Sequence, residues 1–208
     1  MAKMNRELRQ EVLQLWRDGA YRQLILRKDA ILASYSSDEE IIRVLCLALS
    51  MPEIGQNHEA VAILEQCLAM QHGSSILLKT LVEVYLLAGQ CAEATKAARQ
   101  AIKVAPLDAD LYSMLGTSIA TGLNTPDTLK DAVEAYEHGV ALRPNDWELR
   151  RNLGVTHWKG GHLPLAKHAL EAALQLLSPN ETEARQQIER WLLELSKGKT
   201  YWQANTVG

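Results

Sequence analysis

One pattern is written twice between Leu81 and Pro144. The first copy, residues 81–106, reads LVEVYLLAGQCAEATKAARQAIKVAP, and the second, residues 115–144, reads LGTSIATGLNTPDTLKDAVEAYEHGVALRP. The leading leucines (81 and 115) are 34 residues apart, whereas matched alanines (94 and 132) and the closing prolines (106 and 144) are 38 apart. The four extra residues are placed most simply within residues 122–126. A unit of about 34 residues that holds two short helices is the signature of a helical repeat array.

The same spacing extends in both directions and predicts a series of helix pairs. The first pair is degenerate: a helix over residues 4–18 ends at Gly19, and its partner is expected over residues 20–34. Ser37 and Glu40 have the spacing of a capping box at the start of the second pair. We expect one continuous solenoid over residues 1–196 and a mobile tail over 197–208. The predicted pairs lie at about 5–38, 41–74, 75–108, 109–146 and 147–180, with a capping helix at 181–196.

These landmarks resemble the tetratricopeptide repeat, whose pattern is aromatic-x2-Leu-Gly-x2-Tyr, then Ala-x3-aromatic, then Pro. The fullest copy here is Tyr112-x2-Leu115-Gly116, followed by Ala132-x3-Tyr136 and a proline. The resemblance implies an all-α fold, a right-handed superhelical solenoid of antiparallel helix pairs with a C-terminal capping helix. It also implies that the first helices of the pairs line a concave groove. Such arrays usually bind a peptide or a helix in this groove and are rarely enzymes.

Small residues at fixed positions of the repeats have a direct physical interpretation. A glycine or alanine lets two helix backbones approach closely, and a larger side chain there would push the layers apart. The positions concerned are Gly116, Gly154, Ala94, Ala132 and Ala166.

The predicted groove changes from apolar to mixed charge along the array. This surface would suit an amphipathic segment with one basic and one acidic residue. Arg151 and Asn152 alone do not rebuild the carboxylate clamp found in one branch of the family, so we do not expect a co-chaperone that binds chaperone tails. The predicted partner-binding residues are Ile42, Leu45, Leu49, Ile76, Lys79, Glu83, Leu86, Asp110, Ser113, Thr117, Arg151, Val155, Trp158 and Lys159.

Composition and charge narrow the classes of partner. The net charge is -3 and the isoelectric point is about 6.1, which argues against nucleic acid or an anionic membrane as the main partner. No run of about 18 apolar residues is present, so we expect no direct membrane insertion. The three cysteines show no CxxC spacing, and reduced buried thiols would fit a cytoplasmic protein. No apolar run precedes a small-residue cleavage site near the N-terminus, so no signal peptide is expected.

The sequence offers little for catalysis, for a metal or for a cofactor. It contains no Gly-rich phosphate loop, no nucleophile motif and no HExxH. His157, His162 and His168 cluster in the last repeat, but no carboxylate or cysteine with ligand spacing joins them. His157 stands where the repeat usually places a packing tyrosine. We therefore predict no catalytic residue, no metal site and no cofactor.

Aromatic residues are concentrated towards the C-terminus. Four of the five tryptophans lie between residues 147 and 202. Trp191 is expected in the core under the capping helix, whereas Trp158 and the Tyr201-Trp202 pair are harder to place there. Because exposed aromatic residues often mark interfaces, we expect a partner surface or a homo-oligomer contact in this region.

Together these observations predict a non-enzymatic protein–protein interaction module that binds a peptide or helix of a partner in the concave groove. A chaperone or assembly factor for a secretion, pilus or membrane-complex subunit is the first alternative. An enzyme or a regulatory subunit of an enzyme is the second. A genome neighbour that encodes an assembly machine would favour the chaperone, whereas ionisable side chains that meet in one closed pocket would favour the enzyme.

Overall fold

The protein is α-helical throughout the residues that the structure describes. The computed structural model describes residues 2–71, 73–122 and 125–205, which form thirteen α-helices and no β-strand. The chain divides into two compact units, unit 1 (residues 1–106) and unit 2 (residues 107–208). Within the described ranges, no helix has the length and apolar character needed to cross a bilayer. The predicted all-α repeat fold is confirmed.

Unit 1 contains two regular helix pairs preceded by an irregular first pair. A short turn joins the two helices of each regular pair, so that they pack side by side as a helical hairpin. In the last of these turns, Gly89 has a φ of 69°, which glycine adopts readily because it has no Cβ. The helices of unit 1 are α1 (Ala2–Arg17), α2 (Tyr21–Ile25), α3 (Lys28–Tyr35), α4 (Glu39–Ser50), α5 (Asn57–Met70), α6 (Ser75–Leu87) and α7 (Cys91–Val104).

Unit 2 contains two regular pairs followed by two terminal helices. Asp108 caps the first of its helices by accepting from Asp110 N–H, and Thr125 forms a capping box with Thr128 at the start of the second. The insertion predicted within residues 122–126 includes Leu123 and Asn124, which lie outside the described residues. The helices of unit 2 are α8 (Ala109–Thr121), α9 (Pro126–Leu142), α10 (Trp147–Lys159), α11 (Leu163–Leu176), α12 (Thr182–Ser196) and α13 (Tyr201–Asn205).

The small residues of the repeat lie where helices come closest together. A Cβ added at Gly116 would be only 2.7 Å from Cζ of Tyr136, and one added at Gly154 would be 2.8 Å from Cγ of Leu170. Real Cβ atoms essentially never approach other heavy atoms so closely. The prediction that these glycines permit close helix packing is therefore confirmed.

The first pair differs from the sequence prediction in two places. The helix expected over residues 20–34 is broken at Leu26 and Arg27 into α2 and α3, which both pack against α4. The predicted Ser37 cap is also wrong, because α4 begins one residue later than expected. Asp38 is the N-cap, and its side chain accepts from Ile41 N–H at 3.2 Å.

The segment assigned to the tail contains a helix, α13. Tyr201 of α13 packs edge-on against Trp158 of α10, with ring centroids 5.5 Å apart. The indole N–H of Trp158 donates to the carbonyl oxygen of Lys199 at 2.8 Å. The chain after α12 therefore folds back onto α10, and only residues 206–208 of the predicted tail lie outside the described residues.

Candidate functional site

The first helices of the two regular pairs in unit 2, α8 and α10, are joined by polar contacts. Lys159 Nζ donates to the carbonyl oxygen of Ala120 at 3.1 Å, which ties together the C-terminal ends of the two helices. Tyr136 reaches α8 from α9, and its hydroxyl lies 3.0 Å from Thr117 Oγ1. Burial raises the pKa of Tyr136 to about 12, against the lowering effects of Thr117 and the Arg151 charge. We define the α8–α10 face by the predicted groove residues Asp110, Ser113, Thr117, Arg151, Val155 and Lys159.

Arg151 is the half-buried cation near the middle of the α8–α10 face. Its guanidinium lies 5.2 Å from the centroid of the Trp147 ring, a cation–π arrangement that holds the group in place. Its Nε and Nη2 atoms donate to Asn152 Oδ1 at 3.2 and 3.0 Å. The indole N–H of Trp147 donates to Glu181 Oε1 at 2.7 Å, so the aromatic platform is itself anchored. No carboxylate among the described residues forms an ion pair with Arg151.

Lys159 is the second cation of this face, two helical turns further along α10. In addition to its bond to Ala120, Nζ lies 5.4 Å from the centroid of the Tyr201 ring. Burial lowers the pKa of Lys159, because the ammonium loses part of its hydration. Within the described chain, this lysine too lacks a carboxylate in ion-pair contact.

In contrast to Arg151 and Lys159, the acidic residues predicted for the groove form ion pairs with arginines. Asp110 forms a very short ion pair with Arg143, which also approaches Asp146 at 3.5 Å. In unit 1, Glu83 lies 3.8 Å from Arg43. These carboxylates are therefore partly neutralised by the protein itself.

The predicted groove residues of α6 in unit 1 are accessible to different degrees. Ile76 is 44% exposed, and Lys79, Glu83 and Leu86 are half-buried. The helix therefore offers an apolar contact at its start and a mixed surface further along.

Four of the residues predicted to line the groove are buried, so the prediction that a partner can contact them is wrong. Ile42, Leu45 and Leu49 of α4 are fully buried, because α1, α2, α3, α5 and α6 all pack against this helix. Trp158 is only 1% exposed, because α11, α12 and α13 cover it. These four side chains stabilise the two cores and are not available to a partner in this structure.

The C-terminal aromatic residues also differ from expectation. Trp158 is a core residue, and Trp147, Trp191 and Tyr201 pack against the same cluster. Trp202 is 55% exposed and lies next to Tyr201, with ring centroids 5.2 Å apart. The exposed aromatic surface of this region is therefore smaller than the count of tryptophans suggests.

A pocket with a volume of about 290 Å³ lies at the C-terminal end of α10. This pocket was not predicted from the sequence. One feature of the sequence nevertheless pointed to it: His157 occupies the position of the usual tyrosine, and its smaller ring leaves space. The rings of His157 and His162 meet edge-on with centroids 6.1 Å apart. In the described ranges, no three His, Cys, Asp or Glu side chains form a group that could hold a metal ion. The pocket is lined by Leu129, Lys130, Val133, Thr156, His157, Lys159, Gly160, His162 and Leu165.

Known proteins resemble this chain in fold. No protein-family profile matches the chain, and no curated protein matches its sequence. Among solved structures, the thermophilic TPR protein TTC0263 of Thermus thermophilus has a TM-score of 0.71 at 18% identity, over 91% of this chain and 99% of that one. MamA from Desulfovibrio magneticus RS-1, from residue 41 to its end, has a TM-score of 0.68 at 19% identity, over 83% and 94% of the two chains. The chain therefore has the fold of tetratricopeptide repeat proteins.

Proposed function

We propose that this protein is a non-enzymatic protein-interaction module that binds an acidic segment of a partner protein on the α8–α10 face. The proposal rests on the surroundings of the two cations on α10, which contact aromatic rings and have no carboxylate partner among the described residues. Arg151 is held on the Trp147 ring and Lys159 against the Tyr201 ring, and no carboxylate of the described chain neutralises either. A preoriented arginine can bind a carboxylate with little further loss of side-chain conformational entropy.

Electrostatics favour an acidic ligand over the mixed segment expected from the sequence. Asp110, the acidic group of this face, pairs with Arg143, so a basic residue of the ligand would have to compete with that pair. A carboxylate that reaches Arg151 or Lys159 competes with the neutral acceptors Asn152 Oδ1 and the Ala120 carbonyl and not with another carboxylate. The net charge of this protein is -3, so the preference for an acidic partner is a local property of this face.

The spacing on α10 sets the expected length of the contact. Arg151 and Lys159 are eight residues apart, which on a helix corresponds to about 12 Å. An extended peptide covers that distance in about four residues. Val155 lies between the two cations, so the ligand we propose has two acidic residues separated by at least one apolar residue.

A site-specific crosslink tests the proposal directly. p-Benzoylphenylalanine would replace Ser113 on the α8–α10 face or, as a control, Lys167 on α11, which is largely exposed and pairs with Glu171. After irradiation of the native lysate, we expect a crosslinked partner at position 113 that is absent at position 167. Mass spectrometry of the crosslinked peptide should identify an acidic segment.

A charge reversal then tests the role of the cation. We expect Arg151→Glu to abolish the crosslink at position 113, whereas Lys167→Glu, with the same change of charge, should leave it intact. Circular dichroism must show unchanged helix content in both variants. A partner that is captured equally by Arg151→Glu, or a crosslinked segment without acidic residues, would contradict the proposal.

A further inference from the structure

The pocket at the end of α10 shares Lys159 with the α8–α10 face, and its other lining residues lie outside that face. α9 contributes Leu129, Lys130 and Val133, the last turn of α10 contributes His157, and the turn before α11 contributes His162. Its volume of about 290 Å³ is at the lower end of the range for small-molecule sites. It therefore has room for a small molecule or for one side chain and terminus of a peptide.

His157 is the unusual group in this pocket. Its side chain lies among helices with only 8% of the residue exposed, and its Nδ1 atom is buried without a hydrogen-bond partner. A buried polar atom without a partner is rare and needs an explanation. Burial, and to a smaller extent the neighbouring His162, lowers the pKa of His157. These surroundings therefore favour the neutral ring.

Apart from Thr156, whose hydroxyl donates to the Asn152 carbonyl, the other polar side chains around His157 belong to two lysines and a histidine. Lys130 faces the pocket from α9, Lys159 from α10 and His162 from the N-cap position of α11. No aspartate or glutamate of the described residues lines the pocket. The N-terminus of α11 adds the positive end of a helix dipole on the same side. The site thus concentrates positive potential in a protein whose net charge is negative.

Apolar groups complete the lining. Leu129 is buried, Val133 is half-buried and Leu165 is exposed at the mouth. A ligand that satisfies both parts of the pocket carries an anion at one end and a short aliphatic body at the other.

We propose that this pocket binds a carboxylate attached to a short aliphatic body. The carboxylate would accept hydrogen bonds from His162 and a lysine ammonium, while the aliphatic body would lie against Leu129 and Val133. A carboxylate near His157 would stabilise the charged ring, so binding would be accompanied by uptake of a proton at this histidine. Such coupling makes the affinity depend on pH.

Hexanoate is a suitable probe for the free-acid form of this ligand, and hexanamide is its uncharged control. Binding would be followed by ¹H–¹⁵N NMR of the histidine rings and by calorimetry at pH 6 and pH 8. We expect hexanoate to shift the His157 and His162 signals in a saturable way and to bind more tightly at pH 6. The coupling of one proton allows at most about a tenfold change in Kd per pH unit. Equal binding of hexanamide, or no shift of either histidine, would overturn the proposal.

Variants separate the pocket from the rest of the molecule. His157→Gln should abolish the pH dependence or the binding of hexanoate, and His162→Gln should weaken the binding. Because His157 is buried, Lys130→Gln provides a second test at an exposed position, and it should weaken hexanoate binding without changing the helix content. Lys167→Gln on α11 is the matched control and should bind as the wild type does. Unchanged binding in all three pocket variants would also overturn the proposal.

A second probe distinguishes a peptide C-terminus from a free aliphatic acid as the source of the carboxylate. This probe is the dipeptide N-acetyl-Ala-Leu, whose C-terminal leucine bears both a carboxylate and an aliphatic side chain. Tighter binding of the dipeptide would identify a peptide C-terminus as the natural ligand, and tighter binding of hexanoate would identify a free aliphatic acid. The pocket shares Lys159 with the proposed partner surface but does not include Arg151, so Arg151→Glu should leave hexanoate binding unchanged even if it abolishes partner capture.

Discussion

Two helices at the same place in the repeat, α4 in unit 1 and α10 in unit 2, have opposite roles. Leu45 of α4 and Arg151 of α10 are both groove residues according to the repeat pattern. Leu45 is fully buried, whereas Arg151 is partly exposed and lies over an aromatic ring. The difference arises from the neighbours, because the irregular first pair of unit 1 adds α2 and α3 to the helices that pack on α4.

The comparison shows that a position in the repeat determines the direction in which a side chain points from its helix. It does not determine whether that side chain is exposed to solvent. Every residue of α4 from Ile41 to Ser50 is buried except Arg43. In α10, Arg151 and Lys159 are partly exposed. An apolar residue at a groove position is therefore ambiguous, whereas an arginine there is informative, because an unpaired arginine is almost never fully buried.

The largest effect that would test this comparison is expected at Leu45. Leu45→Ala should reduce the free energy of unfolding by about 2–5 kcal/mol, because it opens a cavity among packed helices. Chemical denaturation followed by circular dichroism would measure the change. Leu86→Ala on α6, at a half-buried groove position, is the control and should cost clearly less. A cost at Leu45 below about 0.5 kcal/mol, typical of surface positions, would mean that this side of α4 is open in solution.

The close packing of unit 2 is tested at Gly116. In an open helix, replacing glycine by alanine stabilises by up to about 1 kcal/mol, but here the new Cβ would meet the Tyr136 ring. We expect Gly116→Ala to destabilise by about 1–3 kcal/mol through overpacking. The same denaturation experiment measures this change in the free energy of unfolding, and a stabilised variant would show that the two helices are further apart than described.

Overpacking is also expected at Ala132, a fully buried position of α9. Ala132→Leu should reduce the free energy of unfolding by about 1–3 kcal/mol, measured in the same way.

The docking of the segment after α12 depends on Glu194. Lys197 and Lys199 pair with this carboxylate at 2.7 and 2.5 Å and lower its pKa to about 2. A carboxylate whose pKa is depressed stabilises the folded arrangement above its unfolded pKa, and the contribution is lost as the pH falls through about 2. We expect Glu194→Gln to accelerate hydrogen exchange of the Trp158 indole, whose acceptor is the Lys199 carbonyl.

The control for this prediction is Glu189→Gln on the exposed side of the same helix, which should not change the exchange rate. The rate in the wild-type protein should be constant from pH 7 to about pH 5 after correction for intrinsic exchange. A similar acceleration in both variants would assign the effect to net charge instead of to the Glu194 ion pairs.

The smallest effect on stability is expected at Trp202. Because it is more than half exposed, Trp202→Ser should change the free energy of unfolding by no more than about 0.5 kcal/mol. If the C-terminal aromatic residues mediate self-association, light scattering should show an oligomer for the wild type that is weakened in this variant. An oligomer of unchanged stability would place the contact elsewhere.

Much of the fold could be predicted because its signals are local. Gly19 ends its helix through its own backbone conformation, and the leucines and alanines that recur at 34 or 38 residues mark pairs of helices that are neighbours along the chain. The failures have a different origin. The break at Leu26 lies in a stretch without glycine or proline, and the burial of Leu45 depends on helices that are distant in sequence.

The candidate sites were predicted less completely, also for a physical reason. A groove position could be assigned to Arg151 from the repeat alone, but its support by the Trp147 ring depends on side-chain geometry. The pocket beside His157 arises from three helices that meet at one end. The histidine was visible in the sequence, whereas the space beside it was not.

The bond from Lys159 to Ala120 has a mechanical consequence. At this end, the Lys159 ammonium and the Ala120 carbonyl join α8 and α10 directly, while α9 packs against both helices. Spreading the two helices would release the ammonium to water, which recovers the hydration it lost and offsets part of the cost. An anion that draws Lys159 away from Ala120 would therefore remove this direct bond between α8 and α10.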